Sequence, residues 1–392
     1  MAEPKVRFKQ NDGTSFPAWE NNTIGHYLQI RDEKQTPSES APLMAFIAYQ
    51  GVADKGDRYD RSFLVKSDDK KYKRTEYNDF IYSSNNLDVG SIGLNKYGSA
   101  VISVVYEIFK CRENCIPDCI SALLQMPQSI AKMLKYRQGA LYGQYKIPAE
   151  DFLSIKIDMP CLEEQQKVAD FLSSVDEVIT ASEEEAANLE TQKKAVMKKI
   201  FSQEVRFKRE DGSDFPEWEE RLLSDVSECL DNQRVPINAT EREKIQGDIP
   251  YYGAGSIQGY INKYLFDEDL VLLLEDGDAF DDFKTKSISQ FVTGKCWINN
   301  HAHVLRPKEN SFFLHCALSH KDIRAWTQLA GQSRKKLTQE NMLKITLDMP
   351  CLEEQRLIAD FLSDFDEAIV AAKKELELWK ELKKGLLQQM FV

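Results

Sequence analysis

The chain has 392 residues, 42% of them hydrophobic, and a formal net charge of −12. That length predicts two or three domains with real cores, and the acidity, taken whole, argues against a stand-alone nucleic-acid binder. No run of 18 apolar residues occurs, so no membrane-spanning helix and no membrane partner are expected.

The N-terminal MAEPKVRFKQ is charged and lacks the apolar stretch of a secretory signal. A cytoplasmic protein is therefore expected, with its eight cysteines as reduced thiols. The phrase VRFKQNDGTSFPAWE starts at Val6 and returns at Val205 as VRFKREDGSDFPEWE, identical at 10 of 15 positions. Between the first phrase and residue 157, the runs FIAYQG, RSFLV, DFIYSSNN and SAVISVVYEIF read as strands. NNLDVGSIGLNKYGS reads as a loop, and CIPDCISALLQMPQSIAKMLKYRQ as helix in pieces. MPCLEEQQKVADFLSSVDE follows from Met159 and recurs 190 residues later as MPCLEEQRLIADFLSDFDE, identical at 14 of 19 positions. The second cassette, about 220–347, carries PYYGAGSIQGYI, LVLLLEDGD and SQFVTGKCWINNHAHVLRP as strand and turn, then SFFLHCALSHKDIRAWTQLA as a helix. Each cassette reads as a mixed α+β domain, and their internal sequences look unlike.

Both MPCLEEQ phrases open a long helix. From Cys161 to about Ser202 there is neither Gly nor Pro, and Pro160 stands where helices commonly begin. Glu163 and Glu164 suit the positive end of the helix dipole. Val168, Leu172, Val175, Ile179, Ser182, Ala186, Leu189, Lys193, Val196 and Ile200 follow one another in alternating steps of four and three. The same stripe recurs 190 residues on at Ile358, Leu362, Phe365, Ile369, Ala372, Leu376, Trp379, Lys383, Leu386 and Met390. This is heptad spacing on helices of about 60 Å, which predicts that the two pair as a coiled coil. Docking of each stripe on its own cassette is the competing reading. An antiparallel pair leaves each cassette room, so that orientation is expected. The expected fold is α+β with a pseudo-two-fold internal repeat: mixed-sheet domains at 1–157 and 204–347, and long repeated helices at 158–203 and 348–392.

Several features invite catalytic or metal chemistry and fall short. His301 and His303 share a strand face but have no assured third ligand. Cys111, Cys115 and Cys119 recur every fourth residue, without a C-x2-C knuckle and with Pro117 among them. Pro160–Cys161 and Pro350–Cys351 match the nucleophile dipeptide of cytosine methyltransferases, yet no glycine-rich cofactor loop accompanies them. GAGSIQG reads as strand and turn, and LEDGDAFDD clusters acids without the partner lysine of a nuclease or the spaced aspartates of a calcium loop. No catalytic residue, cofactor site or metal site is expected in this chain.

The order of bookend, cassette and helix, given twice, resembles the specificity subunit of Type I restriction–modification systems over essentially the whole chain. The resemblance rests on the two PCLEEQ helix starts, the F-P-x-W phrases at Trp19 and Trp218, IPYYGAGSIQGYI with WINNHAHVL, and NNLDVGSIGLNKYGSAVIS. It implies that each cassette is a target-recognition domain reading one half of a bipartite, asymmetric site on double-stranded DNA. It also implies that the helices form a spacer that docks two methyltransferase subunits, with restriction and translocation subunits in the same assembly. S-adenosylmethionine, ATP and Mg would then belong to those partners. Two other functions compete: a self-contained cytosine methyltransferase using Pro–Cys, and a coiled-coil adaptor with protein ligands only.

Charge bears on this reading. Residues 24–160 carry 18 basic and 17 acidic groups, and 205–350 carry 19 and 24. Neither cassette is strongly basic, so a partner is expected to supply much of the phosphate neutralisation. Base and phosphate contacts want amide, hydroxyl and basic side chains on loops. In the first cassette the candidates are Lys70, Lys71, Lys73, Arg74, Ser84, Asn85, Asn86, Asn95, Lys96, Tyr97, Tyr142, Gln144, Tyr145 and Lys146. In the second they are Tyr252, Ser256, Lys284, Lys286, Arg334, Lys335 and Lys336, the last three being the densest basic cluster of that half.

Overall fold

The structure, a computed structural model, describes residues 4–54, 70–141, 144–253, 255–283, 286–330 and 334–391. Contacts divide the chain into two compact units, one of Met1–Ser182 with Glu375–Val392 and the other of Glu183–Lys374. Each long helix is thus shared between units, and each unit holds one cassette with a piece of both helices.

In the first unit, strand Glu20–Thr23 pairs antiparallel with Lys156–Met159, so the chain closes the cassette where it entered. A four-stranded antiparallel sheet follows in the order Leu28–Ile30, Tyr106–Cys111, Phe80–Ser83, Ile92–Leu94. Its inner face carries Phe80, Tyr82 and Phe109, which pack with Phe152 at ring separations of 4.7–6.1 Å. Helices Pro117–Leu124 and Pro127–Leu134 cover this core, each with proline at its first position, where no amide hydrogen is needed. A hairpin of Gln138–Leu141 and Gln144–Lys146 comes last.

The second unit repeats this plan. Glu219–Leu222 pairs with Thr346–Met349, and the sheet order is Ser227–Cys229, Ala302–Pro307, Leu270–Leu274, Ser289–Val292. Helix Ser311–His320 covers the sheet, capped by Asn310, whose side chain accepts from the amide of Phe313 at 2.8 Å. A hairpin of Gln328–Ala330 and Arg334–Lys336 corresponds to that of the first unit.

What differs is a further layer. The first unit adds a three-stranded sheet, Lys34–Gln35, Tyr72–Thr75 and Ala100–Ile102, and a hairpin of Ala45–Ile47 with Gly51–Ala53. The second adds four strands in the order Ile257–Ile261, Gln246–Tyr252, Lys295–Ile298, Phe266–Asp267, including a parallel pairing of Tyr251 with Trp297. The cassettes that look unlike in sequence therefore share an inner sheet and diverge in an outer one.

Some sequence expectations shift. SAVISVVYEIF is two strands, broken where Tyr106 N–H bonds the Ser103 carbonyl. NNLDVGSIGLNKYGS contains strand Ile92–Leu94, so it is not all loop. The helix expected over SFFLHCALSHKDIRAWTQLA stops at His320. RSFLV lies outside the described residues.

The long helices run Leu162–Phe201 and Leu352–Met390. The first ends before Gln203, which takes a left-handed φ of 57° and stops further helix. Every position of both stripes is buried or half-buried. Val168, Leu172 and Met390 enter the core of the first unit, and Ile200, Ile358 and Leu362 that of the second. The helices pack antiparallel: Asp176 bonds Lys383 at 2.5 Å in the first unit. In the second, Glu190 meets Lys373 at 2.6 Å and Lys193 meets Asp366 at 2.5 Å. The ends of the stripe are thus captured by the cassette cores.

Candidate nucleic-acid interface

Each cassette is clamped to its long helix by the repeated residues. Glu164, almost wholly buried, receives a forked pair of bonds from Arg7 at 2.7 and 3.0 Å and a third from the Trp19 indole at 3.3 Å. Arg7 also bonds the Pro17 carbonyl at 2.7 Å. In the second unit Glu354 takes the same bonds from Arg206 at 2.8 and 3.2 Å and from Trp218 at 3.1 Å. Neighbouring Gln165 bonds the amide of Ile116 and the carbonyls of Asn114 and Pro160. Gln355 reaches Asn310 N–H, Glu309 and the Pro350 carbonyl. The phrase LEEQ is thus a joint. Glu164 stands in the first turn as the sequence reading has it, and it also points into the fold.

In the first unit the joint holds an exposed edge where the Ser84–Asn86 loop meets the second hairpin strand. Asn85 accepts a bond from Tyr145 N–H at 2.6 Å, and Ser84 Oγ accepts one from Ile147 N–H at 2.9 Å. Asn86, Tyr145 and Lys146 are exposed there, with Asn85 half-buried. Arg137, absent from the candidates, stacks 4.9 Å from the Tyr145 ring and bonds Asp88 at 3.3 Å. Its signal in the sequence was a basic residue just before the hairpin's Gln–Gly. Tyr142 and the side chain of Gln144 lie outside the described parts.

The other candidates of this unit divide. Lys70 and Lys71 are exposed, Lys70 lying 5.4 Å from the Tyr72 ring. Tyr97 is exposed, and Lys96 bonds Asn78 and Asp118 at 2.8 Å. Arg74 pairs with Glu76 at 2.5 Å. Three candidates are corrected because their polar atoms are already used inside the fold. Lys73 is buried and paired with Glu107 at 2.7 Å. Ser84 is buried under the hairpin. Asn95, 0% exposed, donates to Thr75 Oγ1 and the Gly98 carbonyl and accepts from the amides of Tyr97 and Gly98, so it builds the turn.

In the second unit the LEDGD turn stands where the Ser84–Asn86 loop stands in the first. Leu337 N–H bonds the Glu275 carbonyl at 2.8 Å, and Asp276 bridges to Lys336. The basic cluster is not free charge: Lys335 pairs with Asp281, and Lys336 with Glu275 at 3.1 Å. Burial alone would raise the Glu275 carboxyl, but bonds from Arg234 and Lys336 hold it below its usual range. Lys286 pairs with Asp282 at 2.7 Å, both exposed. On the outer sheet, Gly253 N–H closes a turn on the Ser256 carbonyl at 2.9 Å, leaving Ser256 exposed and Tyr252 half-buried. Exposed Tyr260 and Ile257 join that face and were missed. Lys284 and the side chain of Arg334 lie outside the described parts.

His303 has both ring nitrogens occupied, by Asp231 at 2.6 Å and the Leu337 carbonyl at 2.9 Å. Burial would raise the Asp231 carboxyl, but the His303 bond and charge hold it low. Among the described residues no group of three or more His, Cys, Asp or Glu is placed to hold a metal ion. No helix of the described residues is long and apolar enough to cross a membrane.

A family model described as the Type I restriction modification DNA specificity domain matches residues 18–191 and 216–378. A putative type I restriction enzyme specificity subunit of Haemophilus influenzae is 37% identical over 148 residues, 37% of this chain and 36% of that one. The type I restriction enzyme MjaVIII specificity subunit of Methanocaldococcus jannaschii is 24% identical over 97% of this chain and 94% of its own length. Among solved structures, the S subunit of a Type I restriction–modification system from M. genitalium superposes with a TM-score of 0.62 at 16% identity, covering 100% of this chain and 99% of that one. A chain from a structure on type I R-M complex assembly gives 0.54 at 16% identity, over 96% and 98%. These likenesses establish the shared fold.

Proposed function

The chain belongs to the Type I restriction–modification DNA specificity family, and from that premise we propose that it reads a bipartite, asymmetric site on double-stranded DNA, one half-site per cassette. It does so as the non-catalytic reader of an assembly with two methyltransferase subunits and with restriction and translocation subunits. S-adenosylmethionine, ATP and Mg act in those partners, and the assembly works in the cytoplasm.

The observation that carries this reading is the pairing of a repeated frame with divergent outer sheets. Strand pair, inner sheet, hairpin and buried Glu–Arg–Trp clamp recur in each unit, whereas the outer layers differ in strand number and order. A frame used twice suits a duplex whose half-sites are equivalent in geometry, and unlike outer sheets suit half-sites unlike in sequence. The exposed edges offer the matching chemistry. Asn86, Tyr145 and Lys146 flank one hairpin, and Lys335 and Lys336 flank the other. Their present carboxylate partners can be exchanged for phosphates. Two linked readers also gain affinity through effective concentration.

Mapping methylated adenines in a host genome with and without this gene tests the proposal. One split motif with two different halves is expected to vanish with the gene. An unchanged adenine pattern, or methylated cytosines in its place, would sink it.

A further inference from the structure

The turn by which the first cassette docks on its long helix, through Gln165, carries two thiols in contact. Cys111 closes strand Tyr106–Cys111, and Cys115 precedes helix Pro117–Leu124. Their sulfurs lie 3.6 Å apart, with Cys115 Sγ–H donating to Cys111 Sγ. The turn is tied by Cys115 N–H to the Arg112 carbonyl at 3.1 Å. Cys111 is half-buried and lines an open cleft with His26, Gln29, Lys110, Arg112 and Asn114. Cys115 is buried.

The second unit carries no thiol in the corresponding connection, where the helix starts directly after Asn310. The strand registers align Cys111 with Pro307, each being the edge residue opposite the first sheet strand. Arg112–Glu113–Asn114 then matches Lys308–Glu309–Asn310, and Cys115 matches Ser311.

We propose that Cys111 and Cys115 are a peroxide-responsive thiol pair that closes to a disulfide and thereby loosens the joint between the first cassette and its long helix. Cys111, reached through the cleft, attacks hydrogen peroxide as its thiolate. The O–O bond breaks, a sulfenic acid forms on Cys111, and one water leaves. Cys115 then attacks that sulfur; the S–S bond forms, the S–O bond breaks, and a second water leaves with the Cys115 proton. Two thiols lose two electrons and one peroxide becomes two waters. A dithiol reductant reverses the change. The hydrogen bond to Cys111, then burial, pushes the Cys115 thiol up.

The coupling follows from what the turn holds. Bonding requires the sulfurs to close from 3.6 Å to about 2.05 Å. The residues either side of Cys115 are those that Gln165 grips, through the Ile116 amide at 2.9 Å and the Asn114 carbonyl at 3.3 Å. Drawing Cys115 toward Cys111 pulls on both bonds.

The reduced full chain is treated with equimolar hydrogen peroxide, alkylated and digested with trypsin, which cuts after Lys110, Arg112 and Lys132. Mass spectrometry is expected to find the Cys111–Arg112 dipeptide linked to the 113–132 peptide, released by dithiothreitol and absent from Cys115→Ser and Cys111→Ser. Hydrogen exchange at Ile116 is expected to quicken at least severalfold in the oxidised protein. Sulfinic acid at Cys111 with Cys115 alkylated, or a bridge from Cys115 to Cys119, overturns the pairing. A bridge with unchanged exchange at Ile116 overturns the coupling. Neither outcome depends on DNA reading.

Discussion

Among single residues, the most consequential charges are those turned inward at the joints. Glu354 is completely buried and meets the forked guanidinium of Arg206. Replacing Arg206 by Ala leaves that carboxylate buried without a cation, which typically costs about 3 kcal/mol or more. Urea unfolding followed by Trp218 fluorescence should show that loss for R206A. The double variant R206A/E354Q should recover part of it, because the stranded charge is gone. His315 sets a pH limit on the same unit. Burial pushes its pKa from 6.5 down to about 4, helped by Lys193 and opposed by Asp366, while Ser289 Oγ lies 3.0 Å from Nδ1. The unfolded ring takes its proton near the ordinary value, so between the two pKa values the unfolded state binds more protons. Stability is then full above about 6.5 and declines as pH falls toward about 4, by about 3 kcal/mol at most. His315→Gln should flatten that stretch of the urea-midpoint profile; an unchanged slope would assign the acid sensitivity to other groups. Residue roles of this kind were poorly legible in the sequence. Glu163 and Glu164 look alike in a first helical turn, and only the tertiary approach of Arg7 tells them apart. Asn95 looks like a loop reader, and only its four hydrogen bonds make it a turn builder.

Among elements, the long helices were fully legible and the inner sheet only in part. A stripe of ten positions repeated at one spacing leaves a 3.5-residue signature that nothing local obscures. Phe80–Ser83, Tyr106–Cys111 and Leu270–Leu274 lie in runs that read as strands. The three-residue strands Leu28–Ile30, Ile92–Leu94 and Ser227–Cys229 are too short to declare themselves, and the order of the sheet is set by pairings distant in sequence. Its one audible echo, C-R-E-N-C against P-K-E-N-S, sits in the joint rather than in a strand. The stripe gives an element-scale test. Val175 and Ile369 are both buried at mid-helix, where proline removes a backbone bond and clashes with the preceding turn, at about 3 kcal/mol each. V175P/I369P should lower the far-ultraviolet helix signal and abolish site-specific methylation by the assembled complex. The buried tyrosine and phenylalanine cluster of the inner sheet should keep its near-ultraviolet signal. Normal methylation by the doubly substituted chain would show that the helices do not act as a ruler.

For the whole molecule, the deciding quantity is charge. A net of −12 opposes approach to a polyanion, and the structure deepens the opposition by pairing Lys335, Lys336 and Lys73 with carboxylates. Lys335 and Lys336 must each exchange an internal partner for a phosphate before they release a counterion from DNA, and buried Lys73 stays with Glu107. The isolated chain is therefore expected to bind its site weakly, with a shallow dependence on salt, since the slope of log K against log salt is roughly 0.9 per phosphate neutralised. Adding a methyltransferase partner should tighten binding and steepen that slope by several phosphates' worth, because the partner brings the missing cations. Titration of a fluorescent duplex carrying the mapped site, at several salt concentrations with and without the partner, measures both. A slope that stays the same when the partner joins would mean that this acidic chain makes the phosphate contacts itself. The carboxylates beside the hairpins would then have to give up their lysines on binding, and Asp281→Asn, which frees Lys335 in advance, would be expected to raise the affinity of the isolated chain.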